Sequence, residues 1–270
     1  MSERHQARKR FGQHFLTDAG VIGRIVAAVA PQPGEALVEI GPGLGAITRP
    51  LLAAAGHLDV VELDRDVIPH LQRRCAGAGE LVVHGADALD FDFGALAAPG
   101  RPLRLVGNLP YNISTPLLFH LLGFAGCVRD MHFMLQKEVV MRLAAGPDEP
   151  DYGRLSVMVQ LHCEVVPLFE IGPEAFSPPP RVDSAVVRLL PRATPAVAVA
   201  APQVYAEVVR RAFAQRRKTL RNALQGLLSA AAIAEAGVDP GARGETLSLA
   251  DFAALANRVA GAGPAPLTDV

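Results

Sequence analysis

Seven short apolar runs, at 36–40, 58–63, 81–84, 103–106, 131–135, 161–169 and 185–190, recur through the chain before residue 191. They are rich in Val, Ile and Leu and read as strands. Between the first five lie amphipathic stretches, among them 46–55, 66–74 and 116–122, long enough for crossover helices. Strand and helix alternating in this way specify a parallel sheet covered by helices on both faces. The last two runs are joined through Ser177-Pro178-Pro179-Pro180, which cannot be a crossover helix, so a final antiparallel pair is expected at the sheet edge.

From about residue 191 the texture changes. Residues 191–202 are rich in Pro and Ala and read as a linker. Helical patterns follow at about 203–214, 219–229, 230–236 and 248–260, with no strand signal. The chain of 270 residues therefore divides into an α/β domain over 1–192 and a small helical domain over 203–270.

Composition bounds the function. The net charge of −1 means that any nucleic-acid partner must be held by local basic patches. Cys75, Cys127 and Cys163 are far apart and odd in number, which argues against a disulfide framework or structural zinc; no metal is expected. The charged N-terminus leads into Arg8-Lys9-Arg10 with no apolar signal segment, and no uninterrupted apolar stretch could span a membrane. A cytoplasmic protein, acting as a monomer, is the expectation.

The chemistry gathers at the carboxyl ends of the strands. Glu39-Ile40-Gly41-Pro42-Gly43-Leu44-Gly45 follows the first strand and opens a helix, so the backbone turns tightly and a ligand can approach it. The spacing is GxGxG, unlike the GxGxxG of pyrophosphate-binding sites, and a preceding acid without a Lys suits a cofactor lacking phosphates. Glu62, about 20 residues on, is placed to take both hydroxyls of a ribose. Asp87, after the third strand, can accept from an adenine amino group. Singly each acid could be a solvated loop residue; together they outline one crevice at the switch point of a sheet. Asn108-Leu109-Pro110-Tyr111 follows the fourth strand beside it.

Several long motifs resemble the ribosomal RNA adenine N6,N6-dimethyltransferases. They are Arg10-Phe11-Gly12-Gln13-His14-Phe15-Leu16, the glycine loop, Glu62-Leu63-Asp64-Arg65, Gly107-Asn108-Leu109-Pro110-Tyr111-Asn112-Ile113-Ser114, Gln136-Lys137-Glu138 and Gln215-Arg216-Arg217-Lys218-Thr219-Leu220-Arg221. The likeness covers nearly the whole chain. It is closest to the small-subunit branch linked to kasugamycin sensitivity; the runs 130–138 and 154–157 look less like the large-subunit branch that confers macrolide resistance. The resemblance implies a Rossmann-like seven-stranded methyltransferase sheet, a small all-helical C-terminal domain and S-adenosyl-L-methionine as cofactor. It also implies methylation at N6 of two adjacent adenosines near the 3′ end of 16S rRNA, in the small ribosomal subunit.

By the same resemblance Gly41 lies against the methionine end of the cofactor, Glu62 binds its ribose and Asp87 its adenine. Asn108 borders both cofactor and target base, and His14 and Leu16 fold over the site. Phe176 faces the base opposite Tyr111. The family usually has Asn where this chain has His14, a bulkier side chain that can also hydrogen-bond.

The tetrapeptide suits the implied reaction. An adenine N6 lone pair is delocalised into the ring, so the amine needs acceptors that hold its hydrogens out of plane. The Asn108 amide oxygen and the Leu109 carbonyl are two such groups, Pro110 stiffens the loop without adding a donor, and Tyr111 offers a ring for an extruded base.

For RNA, residues 210–221 carry Arg210, Arg211, Arg216, Arg217, Lys218 and Arg221 with no acid between them. Five share one helical face, Arg216 alone falls on the apolar face, and a helix break near 215–217 is inferred. Together with Arg8, Lys9 and Arg10, the cluster Arg216, Arg217, Lys218 and Arg221 is expected to bind phosphates. Lys137 and Glu138 are read as a structural pair, and His132 and Cys163 as core residues. Two other readings compete: a DNA adenine methyltransferase with a similar tetrapeptide, and a noncatalytic RNA-binding assembly factor. The basic cluster favours RNA over DNA, and the joint presence of the glycine loop and the tetrapeptide argues against a pure binder.

Overall fold

The computed structural model describes residues 14–215 and 217–261, so Arg8, Lys9, Arg10 and Arg216 lie outside the described residues. In chain order the strands and α-helices are β1 (Phe15–Leu16), α1 (Ala19–Val29), β2 (Ala36–Ile40), α2 (Thr48–Ala55), β3 (His57–Val61), α3 (Ile68–Cys75), β4 (Glu80–His84), β5 (Leu103–Asn108), α4 (Ser114–Leu122), β6 (Val128–Gln136) and α5 (Lys137–Ala144). They continue with α6 (Arg154–His162), β7 (Cys163–Ile171), β8 (Phe176–Ser177), β9 (Ser184–Pro191), α7 (Pro202–Ala214), α8 (Leu220–Ala223), α9 (Ala230–Glu235) and α10 (Leu249–Gly261).

All seven apolar runs contribute strands to one sheet, ordered β4-β3-β2-β5-β6-β9-β7. β2 pairs in parallel with both β3 and β5, and the connections run outward from it first one way and then the other. That reversal opens a crevice beyond the carboxyl ends of β2 and β5. β9 runs antiparallel to β6, from Met131↔Leu189 to Gln136↔Ser184, and lies between β6 and β7, which leaves β7 at the edge. The sixth run begins two residues early by sequence, because Leu161 and His162 close helix α6.

Three helices went unread from sequence: α1 near the N-terminal end, and α5 and α6 in the middle of the chain. α1 starts where the Asp18 side chain accepts from the Val21 amide at 2.8 Å, an N-cap that ends the preceding strand. At the opposite end of the sheet from the crevice, the buried Arg104 donates to Asp130 at 3.0 Å, to Glu35 at 2.6 Å and to the Val29 carbonyl at 2.6 Å. His132 and Cys163 are buried, as expected. Lys137 reaches Glu170 at 2.7 Å, which corrects the expected pairing with Glu138, since successive residues at a helix start diverge.

The chain forms two compact units, residues 1–140 with 164–191 and residues 141–163 with 192–270. A single cut near 192–203 therefore misplaces 141–163. The reason is packing: Tyr152, Val157 and Leu161 belong to the same buried cluster as Tyr205, Val208, Val209, Phe252 and Leu255. The Tyr152 hydroxyl also donates to the Leu247 carbonyl at 2.8 Å. The helical segments 202–214, 230–235 and 249–261 match three of the four C-terminal patterns, whereas the pattern over 219–229 is helical only at 220–223 and continues as turn. Among the described residues no helix is long and apolar enough to cross a membrane.

Candidate active site

The glycine loop turns because its backbone demands it. Gly41 and Gly43 have φ of +66° and +51°, a region that L side chains avoid. A different constraint acts at Gly107, where a Cβ would stand 2.6 Å from the Ile40 carbonyl oxygen. Glycine there lets the end of β5 close on the end of β2, so that the Asn108 carbonyl comes against Gly41. Nothing in the sequence marks Gly107 apart from its place in the motif.

Between these ends lies a cavity of about 370 Å³, within the range of small-ligand sites. His14, Leu16, Gly41, Glu62, Asp87, Asn108, Leu109, Pro110 and Tyr111 all line it. Phe176 does not. It is 4 % exposed and packs in the apolar core with its β1 partner Leu16, while Ser177, next along β8, faces outward. Phe176 therefore stands behind Leu16 rather than among the residues that line the cavity.

Each acid is held differently. Glu62 accepts from the Gly43 amide at 3.0 Å and the Asp64 amide at 2.8 Å, which fixes both oxygens; burial raises its pKa. Asp87 accepts from the Leu89 amide at 2.9 Å. Glu39, on the buried face of β2, has an oxygen with no hydrogen-bond partner, and burial, reinforced by the charge of Glu62, raises its pKa to about 8. Sequence reasoning noted Glu39 but did not place it in the site, since a single acid at a strand end does not announce that it is dry.

The amino-terminal segment is stitched across the site. β1 pairs with β8, and His14 Nδ1 lies 2.8 Å from the Pro178 carbonyl, so that nitrogen carries the hydrogen. The His14 ring stacks on Tyr111 at 5.9 Å between centroids. The Asn108 side-chain amide donates to the His14 carbonyl at 3.2 Å. With its nitrogen so engaged, the amide turns its oxygen into an available acceptor. The Leu109 amide donates to the Met134 carbonyl at 3.1 Å, and the Leu109 side chain is buried, leaving only its carbonyl for the site. The Tyr111 hydroxyl bonds the Ser184 hydroxyl at 2.7 Å, and burial raises the Tyr111 pKa.

The ligand this cavity fits is cationic and without phosphates. Among the described residues Glu39, Glu62, Asp64 and Asp87 line it against a single guanidinium, Arg74. The carboxylates of Glu62, Asp64 and Asp87, with Glu39 able to ionise beside a cation, would repel a pyrophosphate and favour a sulfonium and an ammonium.

The chain matches the model of the ribosomal RNA adenine dimethylase family over residues 4–261. It belongs to that family. It is 58 % identical over 256 residues to the ribosomal RNA small subunit methyltransferase A of Pseudomonas putida, covering 95 % of this chain and 96 % of that one. The protein of the same name from Nitrosococcus oceani is 59 % identical over 251 residues, 93 % of this chain and 95 % of the relative. Among solved structures, a dimethyladenosine transferase from Plasmodium falciparum superposes with a TM-score of 0.77 at 26 % identity, over 90 % of this chain and 96 % of that one. The 23S rRNA methyltransferase ErmE does so with 0.70 at 27 %, over 91 % and 99 %. Family membership makes the chain an S-adenosylmethionine-dependent rRNA adenine methyltransferase and identifies the methyl donor that the cavity takes.

The basic cluster of the second unit is smaller than its sequence suggests. Glu207, one turn before the cluster, bonds Arg210 at 2.7 Å and Arg211 at 2.6 Å, and these contacts hold its pKa at about 2. Arg217, Lys218 and Arg221 are exposed, and their side chains have no hydrogen-bonding or ionic partner among the described residues. The break lies where expected: α7 ends at Ala214, and Thr219 stands at the N-cap position of α8 without a side-chain capping bond. Among the described residues no three His, Cys, Asp or Glu side chains group as a metal site.

Proposed function

We propose that this enzyme methylates N6 of two adjacent adenosines near the 3′ end of 16S rRNA, in the small ribosomal subunit, and that it acts as a cytoplasmic monomer. The observation that carries the chemistry is the bond from the Asn108 amide nitrogen to the His14 carbonyl, which reserves the amide oxygen for substrate. The small-subunit reading is supported by relatives named for that subunit at 58–59 % identity, against 27 % for ErmE.

S-adenosylmethionine supplies an electrophilic methyl group. In our reading Glu62 takes its ribose hydroxyls, Asp87 its adenine amine, and Glu39 its cationic end, with Gly41 leaving room for the methionine portion. Leu16 and His14 cover the bound nucleoside. Tyr111 stacks on the extruded adenine, worth about 1–3 kcal/mol by analogy with other base–aromatic contacts.

Asn108 Oδ1 and the Leu109 carbonyl accept the two N6 hydrogens. Holding them out of the ring plane uncouples the lone pair from the ring and aims it at the methyl. The alkylated nitrogen is strongly acidic and gives its proton to water, so orientation supplies most of the rate and no general base is needed. After the first transfer one hydrogen remains. A single acceptor then suffices to orient the amine for the second.

Arg217, Lys218 and Arg221, with Arg8, Lys9, Arg10 and Arg216, bind RNA phosphates in this reading. The test is incubation of undermethylated small subunits with labelled cofactor, followed by mapping of the modified nucleotides. Two adjacent dimethyladenosines near the 3′ end are expected; label elsewhere overturns the assignment. Asn108→Ala abolishes transfer while RNA binding stays nearly intact, and equal loss of both overturns its role.

A further inference from the structure

Three consecutive prolines, Pro178, Pro179 and Pro180, fix three φ angles in the loop that leads into Ser184, the first residue of β9. The loop is tied at both ends to rings that line the active cavity. At its start the Pro178 carbonyl accepts from His14 Nδ1 at 2.8 Å, and at its end Ser184 bonds the Tyr111 hydroxyl at 2.7 Å. Just before that, the Asp183 carbonyl accepts from the Lys137 amide at 2.9 Å. Residues 178–183 therefore form a platform whose position is set by His14 and Tyr111, the pair that stacks at the site.

At the middle of this platform Arg181 is exposed, beside Val182 at 44 % exposure. The Arg181 guanidinium has no hydrogen-bond or ion-pair partner among the described residues. Glu170 is taken by Lys137 at 2.7 Å, and the charge of Asp183 acts on Lys137 as well. An exposed guanidinium without a side-chain partner among the described residues, on a stiff loop, is suited to bidentate contact with a phosphate.

We propose that Arg181 binds an RNA phosphate flanking the target adenosine, so that the platform 178–183 is a second RNA contact, carried by the methyltransferase unit itself. The proposal rests on the reading of RNA as substrate. Arg181 is three residues from Ser184, so its Cα lies within about 10 Å of the Cα of the residue that anchors Tyr111. A nucleotide extruded from its stack carries its base into the cavity while its phosphates stay with the strand at the mouth. Contact there positions the nucleotide without reading sequence.

The test compares wild type, Arg181→Ala and Arg181→Lys on undermethylated small subunits, with S-adenosylmethionine affinity measured in parallel as a check on the fold. For Arg181→Ala we expect KM for RNA to rise several-fold with kcat within about twofold. The slope of log affinity against log salt should shrink by about 0.7–0.9, one phosphate contact, and Arg181→Lys should restore most of it. Wild-type turnover with unchanged KM and slope in Arg181→Ala overturns the phosphate contact alone. Absence of wild-type turnover on the RNA overturns the substrate reading and this proposal with it.

Discussion

The hydroxyls of Tyr111 and Ser184 stand 2.7 Å apart and join the loop after β5 to the first residue of β9. Ser184 is fully buried, so the phenol is held from a dry position while its ring remains at the cavity. Tyr111→Phe keeps the ring and leaves the Ser184 hydroxyl without its partner, at a cost of about 1–3 kcal/mol in stability. Adding Ser184→Ala should recover part of that loss, giving a coupling of about 0.5–1.5 kcal/mol in denaturant titrations. Single-turnover transfer should fall far more in Tyr111→Ala than in Tyr111→Phe. Equal losses would contradict stacking as the role of the ring.

Glu39 makes cofactor binding depend on protons. Its pKa of about 8, raised by burial and by the charge of Glu62, keeps the carboxyl protonated at pH 7 in the free protein. A cationic ligand favours the ionised form, so S-adenosylmethionine should displace close to one proton at pH 7 and progressively fewer above pH 8. Calorimetry at pH 7 in two buffers of different ionisation enthalpy measures this, and buffer-independent enthalpies would sink the idea. The sign for folding follows: the folded state binds more protons than the unfolded chain between pH 4.5 and about 8. The Glu39 contribution is therefore present in full at low pH and is lost as pH rises through that window. Glu39→Gln should flatten this part of the stability profile.

Replacing Arg217 and Lys218 by Ala removes two exposed cations without known partners among the described residues. RNA affinity should weaken, and the salt slope should shrink by about 1.4–1.8 for two contacts. Arg210→Ala should do much less, because Glu207 already holds that guanidinium. Similar slopes for the two variants would refute the division of the cluster.

Far from the crevice, the buried pair Arg104–Asp130 should dominate the acid limb of stability. Burial raises the Asp130 carboxyl, but His132 and Arg104 beside it outweigh that and hold its pKa at about 2, below the ordinary 3.8. Its contribution is present above about pH 3.8 and is lost as pH falls toward 2. Asp130→Ala leaves Arg104 buried without its main partner and should cost about 3–5 kcal/mol by urea unfolding at neutral pH. A loss below about 1 kcal/mol would show that Glu35 and the Val29 carbonyl suffice to hold the guanidinium.

The sheet was legible because strands buried under helices must be short and apolar, and seven such runs stand out. The insertion of β9 between β6 and β7 was not, since it is decided by pairing at Gln136↔Ser184 and has no local signal. The cavity residues could be read because their spacing follows the strand ends. What escaped was set by neighbours distant in sequence or just outside the motif: the dry oxygen of Glu39, the capture of Arg210 by Glu207, and the burial of Phe176 opposite Leu16. Helix α6 was missed for the same reason, as Val157 and Leu161 serve a core completed by the C-terminal helices.

That shared core also governs how the chain can be made and cut. Tyr152, Val157 and Leu161 leave synthesis well before Tyr205 and Phe252, the side chains that will cover them. During that interval a nascent chain carries an apolar patch that only later residues can close. A fragment ending at 191 keeps the patch permanently, and one beginning at 192 lacks the residues that fill it. The helical unit is assembled from two separate segments, 141–163 and 192–270, and a cut between them divides its core.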